Sequence, residues 1–322
     1  MKFWPSFLIL LVATSGCSSI RRMAIGTTTP VLLEATDELQ READWNALAE
    51  GMPGNIMMME GLLGIKPKDS DLLVAAIKAH AGAGFGVYET LYLDDKYSEK
   101  SNSVNKQRTL VSYSKSIAHG LTYLEDHGVT LDDLTKGIAQ EGGVKKVLDS
   151  ELSHNEKNHQ ALFYIAQAWG GFINLQRENM SLISQLPIVK GMFDWVCDKE
   201  PEINYGACAL FYGSYEAGRP RMLGGNPEKG FEIFKAALKK YPYNYVIQSS
   251  ILEYYAIPLE DEDVFNEYAA QLEKAQTKLN QLLIRAPGTD VPLEFKEEKM
   301  RLFQAIALKR YSLIKKYKKD IF

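Results

Sequence analysis

Few side chains in this sequence have the types and spacing that do chemistry. His154, Glu156 and His159 stand together, but zinc hydrolase helices place two histidines four apart with a glutamate between, so that both imidazoles share one face. Here the histidines are five apart, and the trio reads as a solvated loop or helix start, not as metal ligands. Cys197 and Cys208 have no histidine beside them to act as a base, so neither reads as a nucleophile. They flank a turn at Glu200 to Glu202. Packed helices lie about 8–10 Å apart, whereas a disulfide needs Cα atoms within about 7 Å. Two buried thiols are the preferred reading, with a bond across the hairpin in an oxidising compartment as the alternative. Gly82, Gly84 and Gly86 follow no strand, so they are not a dinucleotide loop and read instead as small residues that let helices approach closely. Gly224 and Gly225 precede a helix, but no Gly-Lys-Ser/Thr follows and Pro227 removes a backbone donor, which argues against a phosphate loop. Arg219 and Arg221, in a glycine-flanked loop, are placed to meet a carboxylate on a partner; pairing with local acids is the alternative. No catalytic residue, metal ligand or cofactor is expected.

The elements that must position these residues read as helix after helix. Apolar residues recur at helical spacing in Pro30 to Asp44, Met57 to Leu63, Leu72 to Leu93, Leu110 to Asp126, Asp132 to Gln140 and His159 to Leu175. Pro53 suits the first turn of its helix, and Ser70-Asp71 suits the cap of the next. Residues 94–108 and 141–158 are polar and read as loops, and no segment alternates with period two. Gly230, Phe234, Ala237 and Pro242 have the spacing of the second helix of a tetratricopeptide repeat, and Val189, Phe193, Val196 and Pro201 repeat it 41 residues earlier. The copies are further apart than the usual unit of about 34 residues. The excess fits in the loop Arg219 to Gly225, after which Asn226 caps a helix opening at Pro227. The fold expected is all-α, with residues 30–322 forming one unit of stacked helical hairpins, a tetratricopeptide-like solenoid. Its first helices would line the concave face with Tyr164, Trp169, Phe211, Tyr212, Tyr215, Tyr254 and Tyr255.

Met1-Lys2, the apolar run Phe7 to Ala13, small residues Thr14 to Gly16 and then Cys17 resemble a bacterial lipoprotein signal. Thr14 stands where an aliphatic residue is usual. This predicts a signal peptide over 1–16, lipidation at Cys17, a tether over 17–29 and a periplasm-facing protein; Ser18 and Ser19 favour the outer membrane. The chain has 322 residues, 46% hydrophobic and 24% charged, and a net charge of −4, which excludes disorder and supplies no basic field for nucleic acid. The lysine-rich stretch Lys309 to Lys319 reads as a solvated face.

Four segments together resemble the TatT family, lipoproteins associated with TRAP-type (tripartite ATP-independent periplasmic) transporters. They are Asp44 to Pro67 with Met59-Glu60-Gly61-Leu62-Leu63 and the following Leu72 to Ala76; Ala161 to Gly170; Tyr205 to Lys229 with Tyr212-Gly213-Ser214-Tyr215 and Gly224-Gly225-Asn226-Pro227; and Glu262 to Phe265. The resemblance implies a non-enzymatic, lipid-anchored homotrimer that binds a periplasmic TRAP substrate-binding protein and passes a hydrophobic small ligand through a pore or cleft. Tyr164, Gln167, Trp169, Tyr212, Tyr215, Arg219 and Arg221 are the residues expected to meet ligand or partner. The other reading is an envelope lipoprotein that scaffolds peptides or proteins with no transporter role.

Overall fold

A computed structural model describes residues 28–322. The signal peptide, Cys17 and most of the tether therefore lie outside the described residues. Among those described there is no β-strand, and the fold is all-α. In chain order the helices are α1 (28–38), α2 (Trp45–Ile65), α3 (Ser70–Ala83), α4 (Thr90–Tyr97), α5 (Val104–Glu125), α6 (Leu131–Gly137), α7 (Gly143–Glu151) and α8 (Glu156–Asn174). They continue as α9 (Met180–Ile183), α10 (Leu186–Lys199), α11 (Ile203–Gly218), α12 (Pro227–Lys240), α13 (Tyr245–Ile251), α14 (Glu262–Leu283), α15 (Arg301–Ile314) and α16 (Lys318–Ile321).

Side-chain caps set many of the starts. Asp44, Asp69, Ser103, Asn155 and Asp261 each accept a bond from a backbone N–H of the first turn, satisfying donors that have no partner within the helix. Asn226 caps α12 as its sequence position suggests, with Pro227 opening the helix. Three expectations need correction. Pro53 does not open a helix but lies inside α2, which starts at Trp45 because Asp44 is the better cap. The run Leu72 to Leu93 is not one α-helix: a π-helical turn, Gly84–Glu89, separates α3 from α4. The polar stretches expected as loops hold parts of α4 and α5 and all of α7, since a polar helix needs only a narrow buried stripe, here Val144 and Leu148.

Helix α12 packs closely against α11, and α5 against α3. Gly230 of α12 lies where a Cβ would stand 2.6 Å from the Gly213 carbonyl of α11, and Phe234 fills the space beside Gly213. Close approach also explains two of the three clustered glycines. A Cβ on Gly84 would lie 2.3 Å from the Tyr113 ring, and one on Gly86 would lie 2.9 Å from Ile306. One core joins α3, α5, α8 and α10, and a second joins α11 to α15. The last long helix returns to the first ones: Arg310 of α15 reaches Glu89, and Lys316 and Tyr317 reach Asp94. The lysine-rich ending is thus largely paired, Lys315 with Glu273 and Lys318 with Glu262 as well.

The preference for thiols at Cys197 and Cys208 is overturned: they form a disulfide, with Cα atoms 5.9 Å apart. General helix spacing does not apply at this point. Asn204, Tyr205 and Gly206 all adopt positive φ (47°, 57° and 95°), so the chain turns sharply before α11 settles into a helix and Cys208 is brought under α10. Left-handed backbone is costly for a bulky residue such as Tyr205 and persists only where the surroundings hold it. Asn244 donates to the Tyr205 carbonyl at 2.8 Å, and the Tyr205 hydroxyl donates to Glu297 at 2.9 Å.

Candidate functional site

The two cores do not close completely on one another. Between them lies an apolar cavity of about 130 Å³, close to the roughly 150 Å³ at which a dry cavity holds one benzene ring. Helix α2 lines it with Leu48, Met52, Asn55 and Met59, spaced four, three and four apart on one face. Lys78 and Gly82 of α3, Phe163, Tyr164 and Gln167 of α8, and Phe303 and Ile306 of α15 complete much of the wall. The left-handed turn contributes Asn204, with Ala207 just after it, so the strained backbone forms part of the rim.

Its few polar groups converge. Lys78 is almost wholly buried and its ammonium donates to Asp37 of α1 at 2.5 Å and to Gln160 at 2.7 Å. Burial lowers the Lys78 pKa, and the Asp37 carboxylate works against that shift. Tyr164, whose ring lies 5.7 Å from that ammonium, has its phenol pushed up to about 12 by burial and by Asp37. Gln167 Oε1 is buried without a hydrogen-bond partner, an unusual state for an amide oxygen in a folded interior. A second, polar chamber of about 250 Å³ adjoins the first, sharing Gln40, Tyr164 and Asn204 and adding Asp37, Glu156, His159 and Glu200. An apolar space with an acidic antechamber suits an elongated molecule with an apolar body and one polar end.

Of the residues singled out by sequence, the cavity brings together only Tyr164 and Gln167. Trp169 is buried, its indole N–H donating to Gln185 at 2.9 Å. Tyr212 donates to Asp194 at 2.8 Å. Arg219 lies over the Tyr215 ring and turns back on its own loop, donating to the carbonyls of Tyr215, Leu223 and Gly224, while exposed Arg221 pairs with Glu228. The aromatics sit at helical spacing whether they face a core or a space, which is why periodicity could not separate them. The residues it missed, Met52, Lys78 and Ile306 among them, come from helices far apart in the chain and carry no common motif.

Of the histidine trio, His154 and Glu156 are exposed at the start of α8 as expected, and only His159 departs from that reading. His154 stacks on Trp195 at 4.1 Å between ring centres, and His159 is buried with its Nε2 3.1 Å from His154 Nδ1. Burial depresses the His159 pKa; His154 adds to this, and Glu200, 3.5 Å away, opposes it. A depressed imidazole makes the unfolded chain bind the extra proton first, so its contribution to stability is complete above the ordinary value near 6.5 and is lost as pH falls below it. The urea midpoint is therefore expected to drop between about pH 7.5 and about pH 5.5. In His159→Gln that slope should flatten, and an unchanged slope would assign it elsewhere.

No helix among the described residues is long and apolar enough to cross a membrane. A family model described as TRAP transporter T-component matches residues 41–286, from the start of α2 through α14. No curated protein matches the chain.

Proposed function

The chain belongs to the TRAP transporter T-component family, and from that membership we propose that it is a non-enzymatic accessory lipoprotein that holds an apolar small molecule and docks a TRAP-type substrate-binding protein. The family associates it with that transporter and with the periplasmic side of the envelope. Lipidation at Cys17 would tether it there, on the outer membrane, and the working unit is a homotrimer. The cavity between the two cores supports the ligand half of this reading. Its wall is mostly apolar, and the polar head of a ligand would lie near Lys78, Tyr164 and Gln167. Gln167 Oε1 asks for a donor such as a hydroxyl, while the Lys78 ammonium is already held by Asp37 and Gln160. Trp169 would support the wall from behind, while Tyr212, Tyr215, Arg219 and Arg221, away from the cavity, are the contact proposed for the protein partner.

Filling the cavity tests the ligand. A Cβ on Gly82 meets nothing within 4 Å, and Gly82 lines the space, so Gly82→Phe places a ring where the ligand's body would lie. Losing burial equivalent to one apolar side chain, about 1.5–3 kcal/mol, corresponds to roughly 10- to 100-fold in affinity. Titration with a fluorescent fatty acid should show that loss, while the helix keeps or gains stability because glycine is a poor helix former. Equal binding by the wild type and Gly82→Phe would remove the cavity from the reading. For the partner, the chain purified from detergent-solubilised membranes should retain a periplasmic binding protein, and a monomer that retains none would refute docking.

A further inference from the structure

On the outer side of the same wall, three helices bring two histidines and a glutamate to one point. Glu60 of α2, His80 of α3 and His119 of α5 offer an oxygen and two nitrogens that all lie within 4.8 Å of one another. Glu60 Oε1 is 2.8 Å from His80 Nε2 and 3.3 Å from His119 Nε2. Tetrahedral zinc with bonds of about 2.0–2.1 Å requires ligand atoms about 3.3 Å apart, so modest side-chain shifts would admit the ion. The three residues are separated by 20 and 39 positions, which is why no spacing motif announces them.

We propose that Glu60, His80 and His119 form a binding site for a borderline divalent cation, Zn²⁺ above all, with water completing the coordination. Two imidazoles and one carboxylate are a recurring zinc donor set that leaves one position open. Lys115, His80 and His119 all converge on Glu60 Oε1, at 3.0, 2.8 and 3.3 Å. His80 Nε2, which donates to Glu60 when no ion is bound, must give up that proton on binding, and Nδ1, which has no hydrogen-bond partner, can carry it instead. Lys115 is the competitor: its ammonium donates to Glu60 Oε1 at 3.0 Å, but the side chain is half exposed and can swing into water. The neighbours Met59 and Ala79 line the cavity, so an ion here would fasten α2 to α3 and α5 directly behind the apolar wall.

The test uses the full mature chain, without a polyhistidine tag, stripped with chelator and titrated with Zn²⁺ by calorimetry and with Co²⁺ by visible absorption. The expected result is one saturable site per chain with a tetrahedral cobalt spectrum. Glu60→Gln and His119→Ala should each weaken binding by at least about 100-fold, more than the loss of an outer-sphere partner costs. Lys115→Ala should tighten it by removing the competing cation, and His154→Ala, at the other histidine pair, should leave it unchanged. Circular dichroism confirms that each variant is folded; Glu60→Gln, nearly isosteric, keeps the test valid should His119→Ala unfold. Absence of a saturable site, or binding that survives both Glu60→Gln and His119→Ala, overturns the proposal. Neither readout involves the apolar ligand, so failure of the cavity reading leaves this one standing, and the reverse.

Discussion

Replacing Arg310 by methionine is expected to destabilise the fold by about 3–5 kcal/mol, the usual result of leaving a buried charge without its counter-ion. Arg310 is 2% exposed. Its guanidinium donates through Nε and Nη2 to both oxygens of Glu253, at 2.9 and 2.6 Å, and through Nη2 to Glu89 at 3.2 Å. Tyr113 donates to the other Glu89 oxygen at 2.6 Å. Burial opposes the charge on Arg310, but Glu253 and Glu89 outweigh it and raise the pKa above its ordinary value. Without the arginine, two carboxylates would share one dry site. With a urea slope of about 3 kcal/mol/M, the midpoint should fall by roughly 1–2 M. Adding Glu89→Gln and Glu253→Gln to Arg310→Met should recover much of the loss, because removing a whole buried ion group is often nearly neutral. A single-variant cost below about 1 kcal/mol would mean that water reaches these groups in the folded protein.

Removing the disulfide is the second large effect. Cys197 and Cys208 are separated by 11 positions, and closing a loop of that length restricts the unfolded chain by about 3 kcal/mol in the chain-entropy account. Cys197→Ala with Cys208→Ala should lose about that much in urea unfolding, and reductant should shift the wild type in the same direction. A second readout follows from position. The bond anchors the turn Asn204 to Gly206, and Asn204 and Ala207 line the cavity, so the double variant should also bind a fluorescent fatty acid more weakly. Lost stability with unchanged binding would show that the Asn244 bond to the Tyr205 carbonyl is enough to hold the rim.

How far the sequence could be read depended on how local each feature was. The Asn226 cap, the loop at Arg219 to Gly225 and the close approach at Gly84 were all legible, because each follows from a few consecutive residues. The disulfide was misjudged because average helix separation was applied to a left-handed turn that only the folded neighbours enforce. The cavity was legible only at Tyr164 and Gln167, since Leu48 and Ile306 meet across most of the chain. Trp169 and Tyr212 have the same spacing signature as Tyr164, and only their partners, Gln185 and Asp194, show that they face other side chains. Residues 41–286 carry the family pattern, while the wall also draws on Phe303 and Ile306 beyond them.

The π-helical turn at Gly84–Glu89 bears on how this chain can vary. A π turn holds one residue more than the α turn it replaces, and one residue is about 100° of helical rotation. The faces of α3 and α4 are therefore out of phase: upstream the segment presents Lys78 and Gly82 to the cavity, while downstream it presents Asp94 to Lys316 and Tyr317. A single-residue deletion here would not merely shorten the segment. It would swing one face away from its target, setting ligand wall against ion network. Substitutions leave the count intact and are the cheaper route of change, so sequence drift in this stretch is expected to conserve length before identity.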